Sequence, residues 1–228
     1  MGMETVEYAA GRLADVVGRP SRPTVLLWHG QQADARASVR PLVEMLSDLG
    51  LGVVAPDWNS YAEDGGRADL LNSVQFTRDR VDDPDGLVLV GWSMGGVAAA
   101  GLTIQAGRFG VRFAHTVCLA GAFMVADPIS GSAPATQLHA VEARSPFTLL
   151  TGLSDRVIPV AAAHEFASAL RNNDWPVEVV ELAADHGSIA GAVYDPVEGR
   201  YSAATDSTSL AVAADVAARI ADAGRSSR

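Results

Sequence analysis

Lysine is absent from this sequence: all 17 basic residues among its 228 are arginine. Chemistry built on a lysine amine is therefore excluded, including Schiff-base and pyridoxal-phosphate catalysis and the phosphate-gripping lysine of a P-loop. Cysteine is almost absent. Cys118 stands alone, which excludes a disulfide within the chain and a cysteine-rich zinc site. Basic charge is scarce: 17 Arg face 27 Asp and Glu, for a formal net charge of -10. Phosphate contacts need clustered basic residues, so no nucleic-acid partner is expected. Residues 1–20 hold no long apolar core, and Val6 stands where a myristoylation motif needs Ser or Thr. The expectation is a cytoplasmic chain. An uncharged stretch of membrane-spanning length, 86–107, is broken by Gly91, Gly95, Gly96 and Gly101 around Trp92-Ser93. It reads as a short buried strand, a turn and a buried helix, with no membrane partner.

What is present is a globular α/β pattern. Hydrophobic residues make up 48% of the chain, which excludes disorder throughout. The length suits a single domain spanning 1–228, with its core over about 24–222. Apolar strand-length runs at 24–28, 51–55, 87–90, 113–119, 147–150 and 177–182 alternate with helical patterns. Val39, Leu42, Val43, Leu46 and Leu49 form one helical face before Gly50, and Pro159 opens another helix. Strands apolar on both faces and separated by helices imply a mainly parallel central sheet with helices on both sides. Ligands bind beyond the C-terminal ends of such strands. The irregular stretch 124–145 is expected to hold a crossover helix and at most a minimal lid.

Just past the strand ending at Val90 lies Gly91-Trp92-Ser93-Met94-Gly95-Gly96. A serine on a sharp strand-to-helix turn collides with bulky neighbours two residues either side, and Gly91 and Gly95 remove them. The turn lifts the hydroxyl over the sheet edge and aims a helix N-terminus at the reacting carbonyl. Ser93 is thus the candidate nucleophile. Of the five histidines, His186 follows the last clear strand and is the candidate base. His115, His139 and His164 lie at a strand start, in the irregular stretch and in a helix. An orienting carboxylate is needed to fix the tautomer of the base. Asp155 follows the strand at 147–150 and is favoured over Asp127 and over Asp185, whose side chain points away from its neighbour His186. In His29-Gly30-Gln31 the backbone N–H of Gln31 pairs with that of Met94 as a two-donor oxyanion hole. His29 itself is expected to be structural. Trp28, Trp58, Trp92, Phe123 and Met124 sit at or just past strand ends and are candidate pocket walls.

These four motifs together resemble the α/β-hydrolase superfamily, from Thr24 to Ile220. The resemblance carries His29-Gly30-Gln31, the Ser93 motif, 152–159 and His186-Gly187. It implies a Ser-His-Asp triad in that chain order, hydrolysis of acyl bonds of a small-molecule substrate, and no cofactor or metal. Within the superfamily the chain is similar to small carboxylesterases, dienelactone hydrolases and acyl-peptidase-like enzymes. Gln31 and Gln32 replace the glycines of the H-G-G-G esterase loop, and a dehalogenase would need Asp where Ser93 stands. The expected activity is cleavage of short-chain esters by a monomer or homodimer. An amidase or peptidase of the same fold, or a non-catalytic ligand-binding member, are the alternatives.

Overall fold

The computed structural model describes residues 2–138 and 144–226; His139 therefore lies outside the described residues. Eight strands form one sheet in the order β1-β2-β4-β3-β5-β6-β7-β8. They are β1 (Glu4–Ala9), β2 (Arg12–Val17), β3 (Thr24–Trp28), β4 (Gly52–Pro56), β5 (Val88–Trp92), β6 (His115–Leu119), β7 (Phe147–Gly152) and β8 (Val177–Leu182). β1 and β2 are antiparallel to each other, and β2 is antiparallel to β4. From β4 to β8 every pairing is parallel. The mainly parallel α/β architecture expected from the pattern is present. The sheet nevertheless begins twenty residues before the expected start at Thr24, because 4–17 fold back as a hairpin on its edge.

Helices α1 (Arg40–Asp48), α2 (Arg67–Arg78), α3 (Met94–Ile104), α4 (Val160–Arg171) and α5 (Ser207–Ser226) cover both faces. The two-residue period of the strands sorts their side chains between the faces. Val25 and Leu27 of β3 join Val53, Val88 and Val90 against Leu42 and Leu46 of α1 and Val216 and Ile220 of α5. Leu26 and Trp28 point the other way, to Leu70 and Val74 of α2 and Ala98 and Leu102 of α3. Cys118, Phe147 and Leu149 pack against Phe166 and Leu170 of α4. Two sequence-based boundaries shift. Leu49 lies beyond α1 and is 44% exposed rather than on its buried face. Pro159 is the N-cap of α4, one residue before its first helical position.

The β6–β7 connection also differs from expectation. Its described residues hold one 3-10 turn, Pro134–Gln137, and no α-helix. Instead Asp127 folds the segment locally. Its carboxylate accepts the N–H groups of Ile129 and Ser130 and the Ser130 hydroxyl. A second, two-stranded sheet stands after β8: β9 (Ala192–Asp195) paired antiparallel with β10 (Arg200–Ala203). No helix among the described residues is long and apolar enough to cross a membrane.

Candidate active site

The parallel strands deliver their C-terminal ends to one edge of the sheet. β5 runs into Ser93, which takes φ 55° and ψ -113° immediately before the first residue of α3. Left-handed φ is costly for a non-glycine residue and persists only where surrounding structure enforces it. Here the Ser93 N–H donates to Leu119 O on β6 at 2.8 Å, and Ser93 O accepts from Val97 and Ala122. A β-carbon on Gly91 would lie 2.1 Å from Gly95 O. One on Gly95 would lie 2.4 Å from His29 O and 2.6 Å from Trp28 O. Those contacts are the steric reason for the spacing of the motif.

Ser93 Oγ donates to His186 Nε2 at 3.0 Å. His186 Nδ1–H donates to Asp155 Oδ2 at 2.8 Å. The other oxygen, Oδ1, accepts the backbone N–H groups of Val157 at 2.7 Å and Ile158 at 2.9 Å. The Asp155 side chain is fully buried and that of His186 is 6% exposed. Burial opposes ionisation of Asp155, but the hydrogen bonds from His186 and from Ile158 and Val157 outweigh it and hold its pKa below the ordinary value. An ionised carboxylate only accepts, so the imidazole proton sits on Nδ1 and Nε2 is free to take the serine proton. The three side chains come from the ends of β5, β7 and β8.

The competing carboxylates are occupied elsewhere. Asp127 is consumed by its own loop, as described above. Asp185 accepts the N–H groups of Gly187 and Ser188 and so shapes the turn that presents His186. His29 is fully buried and structural: Nδ1–H donates to Gly30 O, and Nε2 accepts from the N–H groups of Ala35 and Trp58. Burial drives its pKa down to about 4. His115 meets Thr148, and His164 meets Glu181 on the surface. The Gly30 α-carbon packs so close to Ser93 that a β-carbon there would touch the Ser93 β-carbon at 3.4 Å. The loop carrying Gln31 thus lies beside the nucleophile. Neither the Gln31 N–H nor the Met94 N–H has a hydrogen-bond partner among the described residues.

The five candidate pocket walls are placed otherwise. Trp28 is buried in the core, its Nε1 donating to Ser73 Oγ at 3.0 Å. Trp58 is equally buried, stacked on His29 with Nε1 donating to His29 O. Phe123 stacks on Phe166 of α4. Met124 is half exposed on the surface. Trp92 is a support for the base: its Nε1 donates to His186 O at 2.8 Å and its ring meets Tyr201 edge-on at 4.9 Å. The hollow next to His186 is instead a cavity of about 720 Å³, formed by the Asp155 loop and the β9–β10 hairpin. Tyr194 and Tyr201 of that hairpin were missed in the sequence. Burial and the charges of Asp155 and Asp185 push the Tyr201 hydroxyl up to about 12, so its phenol stays neutral.

Comparison with solved structures decides the fold. Thermogutta terrifontis esterase 2 phosphoramylated by tabun aligns with a TM-score of 0.73 at 16% identity, over 96% of this chain and 93% of that one. The native form of that Planctomycetes esterase gives 0.67 at 18%, over 82% and 84% of the two chains. Its propionate-bound form gives 0.65 at 19%, over 82% and 85%. The chain has the α/β-hydrolase fold. No family model and no curated protein matches the sequence. Residues 91–95 form the strand-to-helix turn after β5 on which that fold can carry a nucleophile.

Proposed function

We propose that the protein is a serine hydrolase that cleaves short-chain carboxylic esters through an acyl-enzyme. The observation that carries this reading is the unbroken relay from Asp155 through His186 to Ser93, at 2.8 and 3.0 Å, on a strained elbow. His186 Nε2 takes the Ser93 proton as Oγ attacks the ester carbonyl. The new oxyanion is held by the free N–H groups of Gln31 and Met94 at the start of α3. The C–O bond to the alcohol then breaks, and the alcohol oxygen leaves with the proton carried by His186. Water, deprotonated by the same imidazole, attacks the acyl carbon and returns Ser93. No step asks for a metal or a cofactor.

The fold shared with an esterase supports the reaction class. The short-chain preference rests on the β6–β7 connection. Its described residues carry only one 3-10 turn and so supply little lid to wrap a long acyl chain. Labelling with a fluorophosphonate, read by intact mass, tests the reading. One adduct on Ser93, absent from Ser93→Ala, is expected. An unlabelled folded protein, or an adduct that persists in Ser93→Ala, overturns it.

A further inference from the structure

A backbone N–H stabilises an oxyanion only if it is aimed at it. The Gln31 N–H belongs to the peptide group whose carbonyl is Gly30 O, and in a trans peptide those two bonds point opposite ways. Whatever holds Gly30 O therefore aims the Gln31 N–H. Two donors hold it: His29 Nδ1–H at 2.8 Å and the backbone N–H of Gln32 at 2.8 Å. His29 is locked in the core, but Gln32 stands in a loop where Gln31, Ala33 and Asp34 are exposed. Gln32 alone of these four is half-buried, and its side chain is what fixes it. Its Oε1 accepts the Tyr201 N–H at 2.6 Å, and its Nε2 donates to Tyr201 O at 3.2 Å. A primary amide supplies one acceptor and donors on one plane, which complements the N–H and C=O of a single residue.

Resting on the esterase reading, we infer that Gln32 is a positioning residue that sets the oxyanion donor against the base. Tyr201 is the link. Its ring lies 5.8 Å from the His186 ring, and it meets Trp92 edge-on at 4.9 Å. Trp92 in turn donates from Nε1 to His186 O. The Tyr201 ring also closes on Gly187, where a β-carbon would come within 3.1 Å of Tyr201 Cε1. The backbone that carries this ring is the backbone that Gln32 grips. One side chain thus ties the loop bearing the Gln31 N–H to the residue packed on the base. A glycine or alanine at 32 could make neither bond. The hole acts on charge that develops in the transition state and not on the resting ester, so loosening it lowers turnover and spares substrate binding.

Gln32→Met is the test, because methionine is unbranched and of similar length and makes neither hydrogen bond. Removing an oxyanion donor outright costs about 10²–10³ in kcat, so misaiming one is expected to cost about tenfold on p-nitrophenyl butyrate. KM should stay within about twofold of wild type. Acylation and deacylation both pass through an oxyanion, so kcat registers the hole whichever step is slower. Rates are counted per site labelled by a fluorophosphonate run to completion, so unfolded protein does not register. Gln32→Ala, which empties the place instead of filling it, should give the same split between kcat and KM. A short-chain trifluoromethyl ketone reads the hole directly. Ser93 Oγ adds to its carbonyl carbon, the serine proton passes to His186, and the carbonyl electron pair goes to the oxygen. Its affinity should fall by the same factor as kcat. A kcat per labelled site equal to wild type overturns the assignment. So does a rise in KM at unchanged kcat, which would make Gln32 a substrate contact, or a fall in kcat without the matching loss of ketone affinity. Each of these leaves wild-type hydrolysis standing and falls on Gln32 alone. A wild type that takes no label and hydrolyses no ester overturns the esterase reading itself, and the role of Gln32 with it.

Discussion

Asp155→Asn is the sharpest perturbation of the relay, because the amide keeps the shape and changes only what each atom can donate or accept. The two oxygens of Asp155 have separate duties. Oδ1 accepts two backbone N–H groups, at 2.7 and 2.9 Å, and Oδ2 accepts from His186 at 2.8 Å. An asparagine satisfies only one of them. With its oxygen toward Val157 and Ile158, its NH₂ faces Nδ1 of His186. The imidazole must then accept at Nδ1 and carry its proton on Nε2, where it cannot take the Ser93 proton. With the amide flipped, NH₂ meets two N–H donors in a fully buried place, leaving donors unpaired at about 1–3 kcal/mol. The first arrangement is the less costly, so the variant should fold and lose its base. Turnover of p-nitrophenyl butyrate is expected to drop by up to about 10⁴-fold. Circular dichroism and a thermal melt check that the fold remains. Asp127→Asn is the control, since Asp127 binds only its own loop. Turnover within tenfold of wild type in Asp155→Asn, or a larger loss in Asp127→Asn, refutes the assignment.

Ser93→Ala should lower turnover by about five to six orders of magnitude with an unchanged melt; steady-state rates near wild type would remove the acyl-enzyme. Gly95→Ala should cost about 3 kcal/mol or fail to fold, because its β-carbon meets the backbone of β3 rather than a movable side chain; a denaturant midpoint equal to wild type would contradict the elbow geometry. In a p-nitrophenyl ester series, acetate and butyrate should be cleaved better than decanoate or palmitate, each further CH₂ being worth about 0.8 kcal/mol only if buried; a rise in kcat/KM past about eight carbons would indicate a deep acyl tunnel. Acid stability should follow His29 together with His115, whose pKa burial also lowers to about 4. The His29 pKa falls from 6.5 to about 4 on folding, so the neutral form is favoured in the native state and stability is full above pH 6.5. That contribution, about 3 kcal/mol, is lost as pH drops through 6.5 toward 4, and the urea midpoint should fall over that window in wild type.

The hydrogen-bonded arrangement of Ser93, His186 and Asp155 was legible because each residue is marked by position as well as by type. Ser93 is announced by the glycines that its turn requires, and the required closeness is there in the contacts of Gly91 and Gly95. Asp155 and His186 follow β7 and β8, whose β-rich runs of strand length end a few residues before them. His29 precedes a tight turn, and its two ring nitrogens are both occupied by backbone groups. The pocket was not legible. Lying near a strand end does not say which way a side chain points. The alternation that sends Val25 and Leu27 to α1 and α5 sends Trp28 to the opposite core. Trp58 and Phe123 are held by His29 and Phe166, partners distant in sequence.

The two hairpins were missed for different physical reasons. β1 and β2 lie on the sheet edge with mixed exposure, so their apolar signal is weak, and only Gly11 between them marks a two-residue turn. Arg12 and Asp15 of β2 pair with Asp34 and Arg36, a few residues past Gln31. β9 and β10 read as loop because they pair with each other and not with the main sheet. Their signal is nonetheless present: Val193-Tyr194 and Arg200-Tyr201 flank a turn closed by Asp195, whose carboxylate accepts from Val197 and Glu198, and by Gly199 at φ 63°. A hairpin placed between the base and the last helix does not serve the central sheet. What holds it is Gln32 and the edge-on and tilted ring contacts of Trp92, Tyr201 and Tyr194. Ser93, Asp155 and His186 therefore stand just past the ends of sheet strands, whose pattern the sequence displays openly, whereas the hairpin reaches His186 only through space.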